Sequence, residues 1–227
     1  MQQGPPGSIA DVIDRMVDIS AALPVRDGVR AFNDMYLETT RQVGLAVADL
    51  VFTDAVFLDR LDVRFAELYF SALEAHDAGR GGSPRCWSAL FDARSSADVH
   101  PLQFALAGMN AHISYDLPRA LVSTVEELGG DLDDDSVRRD FLAVNQVLAQ
   151  TQPLVKDVLL SARLAELDDS MGQVDDRVGM WAIEGAREMA WLSAQTLWAL
   201  RGSGLRERYV SSLDRMVVAS SRLILKF

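Results

Sequence analysis

At 227 residues, 49% of them hydrophobic, the chain can bury a sizeable core, and one globular domain is the expected organisation. A formal net charge of -11 removes the basic footprint that nucleic acid or an anionic membrane surface would require. The single cysteine, Cys86, has no internal disulfide partner, which points to a cytoplasmic setting.

The opening "MQQGPPGS" lacks a cationic region followed by an apolar run, so residues 1–7 read as a disordered lead-in and not a signal peptide. From there on apolar residues recur with a 3.6-residue period and no alternating strand pattern occurs. The expected fold is all-α: a single-domain helical bundle over 8–227, with about eight or nine helices. Ser8 caps a first helix that Pro24 stops, and a second runs from about 27 to 51 with Phe32, Met35, Tyr36 and Thr39 facing inward. A third spans about 54–76. After the break "AGRGGS", Ser83-Pro84 reads as a cap followed by proline at the first helical position, opening a short helix to Arg94.

The next helix, about 101–128, is the central one, and Pro118 should interrupt and kink it because proline offers no N–H to the preceding turn. "GGDLDDDS" reads as a solvated acidic loop that caps a helix over about 137–150. Further helices follow over about 153–167, 174–200 and 204–225.

Polar residues among the apolar ones are the functional signal. On a 100° step, Leu102, Leu106, Met109, Ile113, Leu117 and Ala120 fall within about 40° of one line and form the expected core stripe. His112, Asp116 and Arg119 occupy one shoulder, Asn110 and Ser114 the other. In the third helix Asp62 shares a face with Leu58, Phe65, Ala66, Tyr69 and Leu73; after the acidic loop Asp140 shares one with Phe141, Val144 and Val147, with Asn145 at its margin. The 174–200 helix lines up Trp181, Glu184, Glu188, Trp191, Gln195 and Trp198, with Arg187 beside them, a stripe that could wall a pocket. His76 and His100 fall at helix ends, where a solvated or capping role is expected.

Buried carboxylates must be paired, hydrogen-bonded or neutral. The bland reading is that His112 is held by Asp116 at i, i+4, and that Asp62 and Asp140 cap backbone groups or pair with Arg64, Arg119 or Arg187. The functional reading makes His112 a proton-transfer residue whose tautomer Asp116 or Asp62 sets, in a Trp-lined apolar pocket. Asp140 then joins the catalytic set, and Asn110, Tyr69, Arg187, Trp181, Trp191, Tyr36, Met109 and Asn145 line the substrate.

"FNDMYL" (32–37), "LDVRFAELYF" (61–70), "QFALAGMNAHISYDLPRAL" (103–121), "DFLAVNQVL" (140–148) and "WAIEGAREMAWLSAQTLW" (181–198) together resemble the DUF5995 family, bacterial, largely actinobacterial and of unknown function. The resemblance covers most of the chain in order and implies an all-helical domain. It matches Asn110, His112 and Asp116, and extends to Asp62, Tyr69, Asp140, Asn145, Arg187 and Trp191. The chain departs from it at Ser114, where asparagine is frequent, and at Met180.

Three functions follow. The first is a small-molecule enzyme using cofactor-independent acid–base chemistry to cyclise, isomerise or hydrolyse a hydrophobic substrate, in a setting such as specialised metabolism. The second is a metal-dependent hydrolase built on His112, Asp116, Asp62 and Asp140. The third is a non-catalytic small-molecule-binding or assembly protein. All three predict no nucleic-acid or membrane partner and leave a homodimer open.

Overall fold

A computed structural model describes residues 5–49, 52–79, 81–163 and 176–226, with 150–163 and 176–182 described by their backbone alone. Among these residues the chain is helix, turn and loop, without strand. Its helices are α1 (Ile9–Ala22), α2 (Gly28–Ala48), α3 (Ala55–Asp77), α4 (Arg85–Ala93), α5 (Pro101–Ala111), α6 (Leu117–Leu128), α7 (Asp135–Arg163), α8 (Asp176–Ala199) and α9 (Leu205–Ile224), with a single π-helical turn, His112–Asp116, joining α5 to α6.

The helix starts obey local chemistry. Ser8, Asp27 and Asp54 each accept a backbone N–H from the first turn of α1, α2 and α3. His100 caps α5 in a reciprocal arrangement with Gln103. In the acidic loop Asp134 accepts from both the backbone N–H and the hydroxyl of Ser136 at 2.9 Å, which opens α7. The start of α4 differs from expectation: Pro84 is the cap and Ser83 gives it no bond. Asp214 of α9 instead accepts the N–H groups of Arg85 and Cys86, so a remote carboxylate does the work of a local hydroxyl. Another difference lies at Pro153, where two helices were expected. One helix, α7, continues through it, while the expected end near 167 lies outside the described residues.

Two apolar clusters fill the bundle. The first gathers residues of α1 to α5, the π turn and α9 around Phe32, Tyr69, Phe70, Trp87 and Phe91; the second gathers α6, α7, α8 and the adjoining ends of α2 and α3 around Phe141, Leu121, Trp191 and Leu197. Phe65 and Val210 pack against both. Burying one such aromatic side chain contributes about 1.5–3 kcal/mol.

Two expected faces are turned. On α5 the stripe placed in the core lies at its rim, with Leu106 43% exposed, while Phe104, Ala105, Ala107, Gly108 and Ala111 are buried. The cause is backbone approach: a Cβ on Gly108 would stand 2.3 Å from the Phe32 ring, and one on Gly28 would stand 2.4 Å from the Phe104 ring. A small-residue face lets α2 and α5 close on each other, and that close packing outweighs burial of the leucines opposite. On α8 the buried face is Arg187, Ala190, Trp191, Ala194, Leu197 and Trp198, and Glu184, Glu188 and Gln195 point outward. Desolvating two carboxylates would cost more than the rotation. The Trp181 side chain lies outside those described. On α2 the inward threonine is Thr40, and Thr39 is half-buried.

The break expected at Pro118 takes the form of the π turn. Pro118 falls in the first turn of α6 and has no N–H to return to residue 114, and just upstream the Leu117 N–H reaches past its α-helical acceptor to the His112 carbonyl.

Candidate functional site

The π turn begins at His112 and ends at Asp116, and both side chains point into the first cluster, with 2% and 0% of their surface exposed. Asp116 Oδ2 accepts the indole N–H of Trp87 at 2.8 Å and lies 3.1 Å from His112 Nδ1, while Arg119 approaches Oδ1 at 3.4 Å. An oxygen that accepts from both neighbours assigns the imidazole proton to Nδ1 and leaves Nε2 with a bare lone pair. No hydrogen-bond donor meets that lone pair. Burial lowers the His112 pKa below its ordinary value, against the opposing pull of Asp116, so the ring is neutral near pH 7.

Aromatic rings enclose the imidazole. Phe65 of α3 stacks on it at 3.4 Å with planes 4° apart; Tyr36 of α2 meets it edge-on at 4.5 Å, and Phe32 and Trp87 stand at 5.8 Å. Three further buried polar atoms without a partner share this neighbourhood: Tyr36 Oη, Thr40 Oγ1 and Asp62 Oδ2. The Thr40 hydroxyl lies near enough to Tyr36 to exert a hydrogen-bonding pull that lowers the tyrosine pKa, although the pair falls short of full hydrogen-bond geometry. Burial, and then the charge of Asp62, push the Tyr36 hydroxyl well above its usual pKa. Burial and then Asp59 raise the Asp62 carboxyl to about 7. In a folded protein nearly every buried polar group has a partner, so a knot of four orphans calls for an explanation.

Other residues expected at the site are engaged elsewhere. Asn110 donates to the Val217 carbonyl and to Ser220 and Ser221, bracing α5 against α9. Tyr69 donates to Asn33, which in turn holds the Met16 carbonyl and Ser20. Met109 is half-buried against the first cluster. Asp140 accepts the N–H groups of Thr53 and Asp54 at 2.8 and 2.7 Å, fastening α7 to the start of α3. That point is about 16 Å along α3 from Phe65 at 1.5 Å per residue, so the structure does not bring Asp140 to His112. Arg187 donates to Asn145 and to the Phe141 carbonyl, with its guanidinium over the Phe141 ring and Trp191 packed alongside. Burial lowers the Arg187 pKa to about 10, and the charge of Arg138 adds to that effect. Arg64 pairs with Glu67 and Glu127.

Sequence reasoning missed Trp87 and Thr40. Trp87 carried a signal, because a buried indole must donate its N–H somewhere and the short α4 offers it no acceptor. Thr40 carried none beyond its four-residue spacing from Tyr36, one helical turn.

Among the described residues no three His, Cys, Asp or Glu side chains converge to hold a metal ion, and no helix is long and apolar enough to cross a membrane. A hollow of about 160 Å³ beside Asp140 is edged by Asp54, Asp131 and Asp134. Each of these four carboxylates already accepts a backbone N–H, so the hollow is a seam of caps.

The profile of a family of unknown function, DUF5995, matches residues 9–227. No curated protein and no solved structure matches the chain.

Proposed function

The chain belongs to the DUF5995 family, and we propose that it is a small-molecule enzyme working by cofactor-independent general acid–base catalysis, with His112 as the proton-transfer residue. One observation carries this reading: His112 is a neutral, buried imidazole with Nδ1 anchored and Nε2 unpartnered. Asp116 positions the ring and would stabilise the imidazolium formed when Nε2 takes a proton. Trp87 and Arg119 hold Asp116 in turn. A π turn at the dyad fits the frequent use of such turns at functional sites.

The walls choose the substrate. Phe32, Tyr36, Phe65 and Trp87 suit an apolar body, and a few convergent polar atoms among them are the usual form of a small-molecule site. Cyclisation, isomerisation and hydrolysis each need one such proton transfer, and a cytoplasmic role in specialised metabolism accommodates all three. A substrate reaches Nε2 when Phe65, the half-buried ring stacked on the imidazole, swings aside.

The test is to incubate purified protein with fractionated bacterial extracts in D2O and search by mass spectrometry for products that gain deuterium or rearrange. His112→Gln should abolish such products while its melting temperature stays within a few degrees of the parent. Products that persist in His112→Gln would overturn the reading. The second reading, a small-molecule-binding protein without turnover, is favoured by the consumption of Asn110, Asp140 and Arg187 as braces. It predicts compounds retained by the protein and recovered unchanged.

A further inference from the structure

We propose that Tyr36 and Asp62 form a two-donor cradle for the carbonyl oxygen of an enolisable, largely apolar carbonyl compound, placed so that His112 removes the proton from the carbon beside that carbonyl. The proposal rests on the reading of His112 as a base and specifies the substrate and the partner groups.

The geometry begins with the orphans. Tyr36 Oη of α2, Asp62 Oδ2 of α3 and His112 Nε2 of the π turn are all buried without partners. Tyr36 touches the His112 ring edge-on, and Asp62 lies about one turn of α3 ahead of Phe65, which stacks on the face of the same imidazole and also meets Tyr36. Tyr36 and Asp62 are also coupled electrostatically. Each polar group carries a desolvation cost that an apolar side chain of the same shape would avoid. Three groups left unpaired in one place are complementary to something absent from the folded chain.

Their chemistry says what that is. A buried tyrosine with a strongly raised pKa remains an O–H donor, and a carboxyl raised to about 7 by burial and Asp59 is also available as an O–H donor. A bare imidazole nitrogen is an acceptor for a proton. Two O–H donors and one base match the needs of enolisation, in which negative charge grows on a carbonyl oxygen as a carbon loses its proton. His112 Nε2 takes the proton from the α-carbon; the C–H electron pair becomes the new C=C bond, and the C=O π pair moves to oxygen, where Tyr36 and Asp62 donate to it. The Nε2–H either swaps its proton with solvent before protonating the same carbon, giving exchange, or delivers it to a conjugated carbon, giving an isomer. Protons and electrons balance without a redox partner.

Full-length protein is titrated with 2-naphthol, whose hydroxyl mimics an enolate oxygen on an apolar body, using intrinsic fluorescence, and is also followed by proton NMR for α-deuterium exchange in 2-tetralone. Parent protein should bind the naphthol and accelerate exchange. Tyr36→Phe and Asp62→Leu should each weaken naphthol binding about 10-fold or more and slow exchange roughly 100-fold. Asp62→Asn, which keeps an N–H donor, should restore most of the binding. His112→Gln should lose exchange and keep the naphthol. Tyr36→Phe and Asp62→Leu remove orphans and should melt no lower than the parent, which keeps the comparison interpretable. Parent protein that binds no naphthol, or Tyr36→Phe and Asp62→Leu variants that bind it like the parent, would overturn the cradle. Rearranged extract products that still depend on His112 would then leave its role as base standing, whereas exchange that survives His112→Gln would strike the base itself.

Discussion

At the scale of single residues, two buried groups make opposite demands on pH. Asp62 titrates at 3.8 when exposed and about 7 when folded, so the unfolded chain sheds this proton first. Its contribution is full below about pH 4 and is lost as pH rises through about 7, each unit of displacement amounting to about 1.4 kcal/mol. His112 is lowered from 6.5, so its contribution is present above that value and is lost as pH falls through the folded pKa. Denaturant titrations of Asp62→Asn and His112→Gln between pH 4 and 8 should show this. The first variant gains on the parent as pH rises towards 7, and the second gains as pH falls below 6.5. A parent and an Asp62→Asn variant with parallel profiles would mean that Asp62 is not a buried acid. The sequence made both residues legible because each is a polar letter on an apolar face. It signalled that a buried Trp87 indole needs an acceptor but could not name Asp116, since that bond joins α4 to the π turn across tertiary space.

Among elements, the starts of α1, α2 and α3 were readable from their caps and the faces of α3 and α7 from their period, whereas Pro153 marked no boundary and the faces of α5 and α8 were turned. The α5 stripe failed because the eye counts leucines, while packing rewards the face on which backbones approach. Gly108→Ala tests that reason. Alanine favours an isolated helix by about 1 kcal/mol over glycine, whereas forcing a methyl against the Phe32 ring costs about 1–3 kcal/mol. Phe32 is itself packed against Tyr36, Tyr69 and Trp87 and has little room to yield, so the clash should win and the melting temperature should fall. A rise in melting temperature would show the interface to be looser than described. The joint between α7 and α3 is a second case. Asp140→Ala leaves the Thr53 and Asp54 N–H groups without their acceptor and should cost about 1–3 kcal/mol. The proposed His112-dependent turnover should survive, because this fastening lies about three turns of α3 from Phe65, the ring stacked on the imidazole. No sequence pattern names such a bond, in which a side chain from the middle of one helix caps another.

For the whole molecule, 33 acidic against 22 basic residues leave the chain repelling itself. Most of its ion pairs among the described residues join partly exposed groups, the exceptions being those of the buried carboxylates Asp27 and Asp116, and such surface pairs contribute little. Moderate sodium chloride should therefore raise the melting temperature slightly, and a fall would mean that the surface pairs outweigh the repulsion. The two apolar clusters meet at Phe65, which also covers the imidazole, so the site sits on the seam between the halves of the bundle. The π turn has a further meaning when it is viewed as a count of letters. The Leu117 N–H already meets the His112 carbonyl, five residues back. Were Ile113 deleted, the same two groups would stand four residues apart, and their bond would close an ordinary α-helical ring. The helices on either side would keep their faces, and only the histidine and aspartate would lose their alignment. One spare letter thus separates the scaffold from the pairing of His112 with Asp116: a single-codon deletion should keep the fold and remove the proposed base.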